Sequence, residues 1–552
     1  MGRIYLIMED SMKKFFGIMT ILLIVMALVF TGCQQKTSTA STTGGAQQTV
    51  TFSGYPMNAK DQTISWSIGE GYQVNNAYAS ADDSPFHSGL KDMLGVNIKW
   101  ITIPAGTNQS QFNNLILASG DLPDVMFGGG LMADAERYIE EGTFRDLTPH
   151  LQEWSPAYWK WIHSNPAYDR AMKTDSGKYY GYGFFREAGG WNDSYLGPVV
   201  NKTWLDECGL PLPATISDWD KTLRTFKQKY GATLSFAWLR VTSYGTGIAG
   251  AFGAYSFADY KLYIDDNNKV QLANIQPEYR NELVKFNEWW KAGLIDQDVL
   301  SITDTMARTN ALNKKMGLSI TSMGQMSNWR LDADNAKNGS DWIGLQYPKG
   351  DDGTLVQVPG GYGIGTVIAA VTTNVKTDEK LQLVMRALDY AYTDDGNLYW
   401  NFGKKGVSWD YGPDGKPAYL PLVTNDPNGL NDAIDKYGGS TWSGNCIQAT
   451  LLLYLKNTQQ SIDANDLWFY PNQAITAKYT LPNGMTLTAE ESTRAAELRA
   501  SIKTYVDEAA VQFLSGQRNF NTWDAYVAQV NSMGAPELLK IYQAAYDRYL
   551  AR

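Results

Sequence analysis

GVNIKWITIPAGTNQSQFNNLILASGDLPD, Gly95 to Asp124, reads as strand, loop, helix and turn. Asn97 to Ile103 carries Ile98, Trp100, Ile101 and Ile103 before Pro104 and Gly106 break the run, and Phe112, Leu115, Ile116 and Leu117 follow at near-helical spacing. Gly120 stands where that helix should stop. Asp121-Leu122-Pro123-Asp124 then turns the chain into Val125–Phe127, an apolar run short enough for a buried strand of a parallel sheet. Upstream, Thr63–Ile68 is a further apolar strand, and Asp83-Ser84-Pro85 is a helix start leading through Leu90 to Leu94. Together these make a βαβαβ half-sheet, so the fold class is α/β. In such sheets ligands bind beyond the carboxyl ends of the strands, which points at Ser67–Gly71 and Phe127–Gly130.

The chain has 552 residues, more than one core normally serves, and two domains of roughly 200–250 residues are expected. Hydrophobic content of 44% with 19% charged residues marks a globular chain, and a net charge of −10 argues against nucleic acid as a partner. Aromatic content is 13%, with 33 Tyr and 18 Trp, enough to fill cores and leave rings for a ligand cleft, where they could stack on the C–H faces of sugars. Met1–Gly32 has the physics of an export signal. Lys13 and Lys14 precede the uncharged apolar run Phe15–Phe30, too short for a comfortable membrane span. Glu9 and Asp10 sit awkwardly in such a leader, which makes Met12 the alternative start. Gln34–Gln48, QQKTSTASTTGGAQQ, has nothing to bury and reads as a flexible tether, giving residues 33–50 as a linker. Past Cys33 the cysteines are Cys208 and Cys446, whose pairing the sequence leaves open.

Several spaced motifs carry a resemblance. ASGDLPD at Ala118–Asp124 follows the GVNIKW strand. Val199-Val200-Asn201-Lys202-Thr203-Trp204-Leu205-Asp206-Glu207-Cys208-Gly209-Leu210, with Pro211, Pro213, Thr215, Asp218 and Trp219 after it, is the more specific. Gly293-Leu294-Ile295-Asp296, WNFGKKGVSWDY at Trp400–Tyr411, and Phe513–Gly516, Trp523–Tyr526 and Ala545–Tyr549 extend the match from about Thr51 to the end. The chain resembles the family 1 extracellular solute-binding proteins in their Gram-positive lipoprotein form. Phe30-Thr31-Gly32-Cys33 resembles a lipobox, with Phe30 in place of the usual Leu, so Cys33 would receive a diacylglycerol and hold the protein on the outer face of the cell membrane.

The resemblance implies a type II periplasmic-binding-protein-like fold, two α/β lobes joined by a multi-strand hinge with the ligand cleft between them. Lobe 1 would take residues 51–198 plus about 365–445, and lobe 2 residues 199–364 plus about 446–552. It also implies the function. The lobes close on a solute, and the protein delivers it to a membrane permease driven by ATPase subunits. Relatives of this subgroup resemble binding proteins for alginate and similar fragments, which makes an oligosaccharide, uronate-containing chains among the candidates, the expected ligand. Some relatives carry an acidic loop resembling a calcium site; Lys227–Leu234, KQKYGATL, has no acidic residue, and calcium is not expected here.

Glu70, Tyr182, Arg186, Trp191, Trp329, Trp409 and Trp442 are the ligand-binding candidates, chosen for places near strand ends, in Gly-rich loops or at seams; Arg186 or Arg330 could meet an acidic sugar. YYGYGFFREAGGW, Tyr179–Trp191, fits either a cleft loop or a hairpin at a domain seam. His87, His150 and His163 lack metal spacing, no G-x-S-x-G elbow or P-loop is present, and neither catalytic residues nor a cofactor are expected. Gly245–Gly250 fits G-x-G-x-x-G but follows a poor strand containing Arg240, so nucleotide binding is not expected. The alternatives are a cell-surface polysaccharide-degrading enzyme and a binding protein for peptides or sensing.

Overall fold

The computed structural model describes residues 54–552 apart from 70–77, 79, 105–106, 188–190, 192–193, 239–241, 243–246, 361–363, 428–429, 440–443 and 477. Glu70, Trp442 and Cys33 therefore lie outside the described residues. The opening stretch folds as its pattern predicts. β1 (Ala59–Ser67) runs into α1 (Pro85–Leu94), where the Ser84 hydroxyl accepts from the His87 amide and Pro85 takes the first turn. β2 (Val96–Ile101) lies parallel to β1, pairing Ile64 with Ile98 and Trp66 with Trp100, and stops two residues before Ile103. α2 (Gln109–Ser119) opens with a reciprocal cap between Asn108 and Gln111 and ends at Gly120, whose φ of 70° a side chain would strain. Its apolar stripe is narrower than the spacing suggests, because Leu115 is 61% exposed. β3 (Val125–Phe127) is buried throughout.

Further along, α3 (Pro166–Met172) precedes β4 (Gly181–Arg186), a single strand where the sequence had also allowed a hairpin. The chain then crosses to β5 (Leu196–Asn201), α4 (Lys202–Cys208), α5 (Ile216–Tyr230) and β6 (Thr233–Leu234). The hairpin β7 (Leu262–Ile264) and β8 (Val270–Leu272), α6 (Pro277–Lys291), β9 (Met316–Ser322), α7 (Met323–Ala336) and β10 (Trp342–Gly344) follow. It returns through β11 (Ile364–Val371), α8 (Asp378–Asp389), α9 (Asp394–Phe402), the ribbon β12 (Trp409–Tyr411) and β13 (Pro417–Tyr419), and β14 (Ile447–Gln448). It ends in α10 (Thr450–Lys456), α11 (Gln459–Phe469), α12 (Ala489–Ser515), α13 (Trp523–Ser532) and α14 (Ala535–Ala551).

Among the described residues the two larger sheets are ordered β14-β4-β11-β3-β1-β2 and β10-β5-β9-β6, beside the two-stranded β7-β8 and β12-β13. In the first, β11 is antiparallel to both β3 and β4, so a strand from late in the chain joins the two early parts. A first core of Ile64, Leu90, Val125, Tyr182, Val367, Leu388 and Ile447 surrounds this sheet. A second, with Val199, Trp219, Phe226, Trp289, Leu318 and Trp468, surrounds the other. A third joins the β7–β8 hairpin to α12, α13 and α14 through Leu283, Ile502, Phe513, Tyr526 and Leu538.

The end of the chain is tied to the first core. The Arg552 side chain, 3% exposed, donates to the carbonyls of Arg170, Lys173 and Gly484 and pairs with Asp175 at 2.6 Å. Arg548 bridges Asp175 (2.7 Å) and Glu491 (2.5 Å). Cys208 and Cys446 are both free thiols, the second buried in the first core.

Candidate functional site

β1 and β3 end side by side. The Ser67 hydroxyl accepts from the Phe127 amide at 2.8 Å, and the Phe127 ring lies against Gly69 and Gly129 at distances that leave no room for a Cβ. Asn113 of α2 donates to the Phe127 carbonyl at 3.1 Å, which fixes the start of α2 relative to the strand ends. From there Asn108, Gln109 and Ser110 form one wall of a cavity of about 710 Å³. The second wall comes from the segment after β6, with Trp238, Thr242, Ala258 and Asp259, and the third from Lys503, Asp507 and Val511 of α12. The cavity thus lies where all three parts of the molecule meet, and it is the size of a small-ligand site.

Its walls are held from behind. The Trp238 amide donates to the Ile302 carbonyl (3.0 Å), its ring lies 5.8 Å from that of Phe257, and its own carbonyl accepts from the Thr242 hydroxyl at 3.0 Å. Lys503 reaches Asp259 at 2.8 Å and Asp507 at 2.5 Å, and the other Asp507 oxygen accepts from the Tyr260 amide at 2.9 Å. Burial raises the Asp259 carboxyl above the usual carboxylate range, although Lys503 pulls it back. Burial works against the Lys503 ammonium, but its bonds to Asp259 and Asp507 hold it above its ordinary value. An indole, amides, hydroxyls and a carboxylate–ammonium–carboxylate row suit a ligand rich in hydroxyl groups, since each sugar hydroxyl both donates and accepts.

A second feature lies at the crossing between β4 and β5. The Trp191 indole N–H donates to Asp466 at 2.6 Å, its carbonyl accepts from Asn465 at 2.8 Å, and its ring stacks on Tyr454 at 5.3 Å and 7°. Trp191 is buried and Tyr454 is 46% exposed, so the pair shows the tyrosine to solvent. Nearby in sequence, the Arg186 guanidinium at the end of β4 lies 5.3 Å from the Tyr195 ring and 5.9 Å from that of Phe184.

The model of the bacterial extracellular solute-binding proteins matches residues 82–398. The chain belongs to that family. Among curated proteins it is similar to lipoprotein LipO of Bacillus subtilis, 23% identical over 345 residues, which is 60% of this chain and 65% of LipO, just under two thirds of that protein. It is also similar to the fructooligosaccharide ABC transporter substrate-binding protein FusA of Streptococcus pneumoniae serotype 4, 21% identical over 482 residues, 84% of this chain and 86% of FusA. Of solved structures, the alginate-binding protein AlgQ2 without calcium superposes with a TM-score of 0.75 at 21% identity, covering 90% of this chain and all of AlgQ2. FusA in complex with kestose gives 0.70 at 19%, covering 89% of this chain and all of that one. The fold is the type II solute-binding fold that the sequence implies.

Within this solute-binding fold the sequence candidates scatter. Tyr182 is a correction: its ring is fully buried against Tyr158 and its hydroxyl bonds Ser155, because residues of β4, with strands on both sides, face a core on each side. Trp329 is another, packed edge-on against Trp342 on the inner side of α7. Trp409 is a third; its N–H donates to the Gly403 carbonyl at 2.8 Å and its ring sits against Phe402 in a small core of its own. Arg330 is spent on Asp341 at 2.5 Å and the Trp342 carbonyl. Arg186 and Trp191 lie at the crossing just described. Sequence reasoning passed over Trp238, Asp259, Lys503, Asp507 and Tyr454. Trp238 had a signal, since the Gly-rich run 245–250 follows it closely; Lys503 and Asp507, four apart on a long helix, look like any solvated pair. Gly247–Ala251 of that run is a short helix in which Gly250 packs against the Gln357 carbonyl, so this glycine serves close packing. Among the described residues no group of three or more His, Cys, Asp or Glu could hold a metal ion.

Proposed function

We propose that this chain is the substrate-binding component of an ABC importer and that it captures an oligosaccharide in the cavity between α2, Trp238 and α12. The cavity itself carries the proposal: walls from the start of α2, the segment after β6 and α12, with an array of hydroxyl, amide and carboxylate groups beside an indole. The similar proteins support it, with AlgQ2 described as alginate-binding and FusA solved with kestose. Lobe 1, residues 51–198 plus about 365–445, and lobe 2, residues 199–364 plus about 446–552, would close about the crossing strands, with the ligand's differential affinity for the closed state driving the motion. Arg186 and Trp191, with Tyr454 as the exposed ring, extend the proposed contact surface, and Glu70 and Trp442 remain proposed contacts. A diacylglycerol on Cys33 would hold the protein at the extracellular face of the membrane beside its permease.

A thermal-shift screen against oligosaccharides tests this, because a ligand that binds only the native state raises the midpoint. The expected outcome is a midpoint rise with at least one oligosaccharide, which is then recovered intact. A rise accompanied by cleavage would make the protein an enzyme, and no rise with any sugar would end the oligosaccharide reading.

A further inference from the structure

We infer that the cavity between α2, Trp238 and α12 selects uncharged oligosaccharides and turns away uronate-bearing ones, with Asp259 and Asp507 as the selecting groups. This rests on that cavity being the ligand site. Among the described residues that line it, Lys503 is the one cation, against the carboxylates of Asp259 and Asp507. Over those described residues the formal sum is one negative charge; Arg240, between Trp238 and Thr242 in sequence, lies outside the described residues. Lys503 is already engaged by both carboxylates, at 2.8 and 2.5 Å, so its charge is matched twice over, and a sugar carboxylate taking its third N–H would sit beside both of them.

The amino end of α2 is the other positive feature. A helix terminus offers at most about half a charge. Here the Asn108 amide is taken by Gln111 (3.2 Å) and the Gln111 amide by Asn108 (2.9 Å), which leaves less of that half charge for a ligand. Over the described groups the balance stays negative. A hydroxyl-only sugar meets the same groups without penalty. Asp259 and Asp507 accept from its hydroxyls in charge-assisted bonds, while the side chains of Gln109, Ser110 and Thr242 supply neutral polar partners on the facing walls.

Calorimetry on the purified protein compares kestose and maltotriose with a trigalacturonate and an alginate trimer, at about 0.01 M and about 0.15 M salt. Expected is binding of a neutral trisaccharide with little salt dependence, and uronate affinity weaker by on the order of tenfold or more at low salt, the gap narrowing as salt rises. Asp507→Asn keeps an oxygen for the Tyr260 amide while removing the charge, and should narrow the gap; Asp259→Asn, in a different segment, should do the same, and either suffices if the other fails to fold. A uronate trimer that binds as tightly as the neutral ones, or a gap that neither variant changes, overturns the inference and leaves the solute-binding function standing. Failure of every sugar to bind overturns both.

Discussion

His87 and Glu282 show how a single buried group ties stability to pH, with opposite signs. His87 lies between the rings of Phe86 and Trp100, at 5.2 and 4.8 Å, and burial pushes its imidazole down to about 3, with Asp82 pulling it back a little and Lys91 adding to the fall. In the unfolded chain histidine titrates near about 6.5. Between those values the unfolded chain alone takes the proton, so His87 costs stability as pH falls through that window. Denaturant titrations at pH 7 and 5 should show His87→Gln losing about 2 kcal/mol less than the unaltered protein over that interval. Glu282 on α6 is fully buried, with no hydrogen-bond partner for either oxygen among the described residues, and burial holds its carboxyl well above the carboxylate range. Its contribution is present at pH below the unfolded value and is lost as pH rises through the folded one. Glu282→Met should therefore gain about 1–3 kcal/mol at pH 7, seen as a raised urea midpoint; a lowered midpoint would show that the carboxyl has a stabilising role.

Individual elements were far more legible than contacts between them. The boundaries of α1 and α2 follow from Ser84-Pro85, Asn108 and Gly120, local signals that need nothing from the rest of the chain. What stayed hidden depends on tertiary placement. Nothing near Tyr182 says that β4 will have β11 on one side and β14 on the other, and a Gly-rich aromatic run reads the same in a core strand as in a cleft. The seating of α11 on the second sheet is equally silent in sequence. Trp468 lies against Gly197 of β5, and Ala464 against Gly344 of β10, both too close for a Cβ, while the Trp468 N–H donates to the Leu345 carbonyl at 3.0 Å. Gly344→Ala should lift α11 off the sheet at a cost of about 1–3 kcal/mol, measured by chemical denaturation.

The molecule as a whole is braced at the far end of the chain from its opening strands. Asp175 receives both Arg548 and Arg552, and the Gly484 backbone packs directly on Ala171 of α3, so α14 is fastened to the first core while α12 contributes Ala510 and Leu514 to the second. Arg552→Ala leaves three carbonyls and a carboxylate without that donor, and should cost about 3 kcal/mol with a correspondingly lower thermal midpoint. The position of β11 has a different consequence, one that concerns synthesis. β3 and β4 are made early, but the strand that lies between them arrives only with Ile364–Val371, and β14 beside β4 only with Gln448. Until then the growing chain leaves one edge of β3 and both edges of β4 unpaired, with the apolar core around them incomplete. The first sheet is therefore begun first and finished late, and fragments ending before Val371 should be prone to aggregation and open to proteases, however well their own helices are capped.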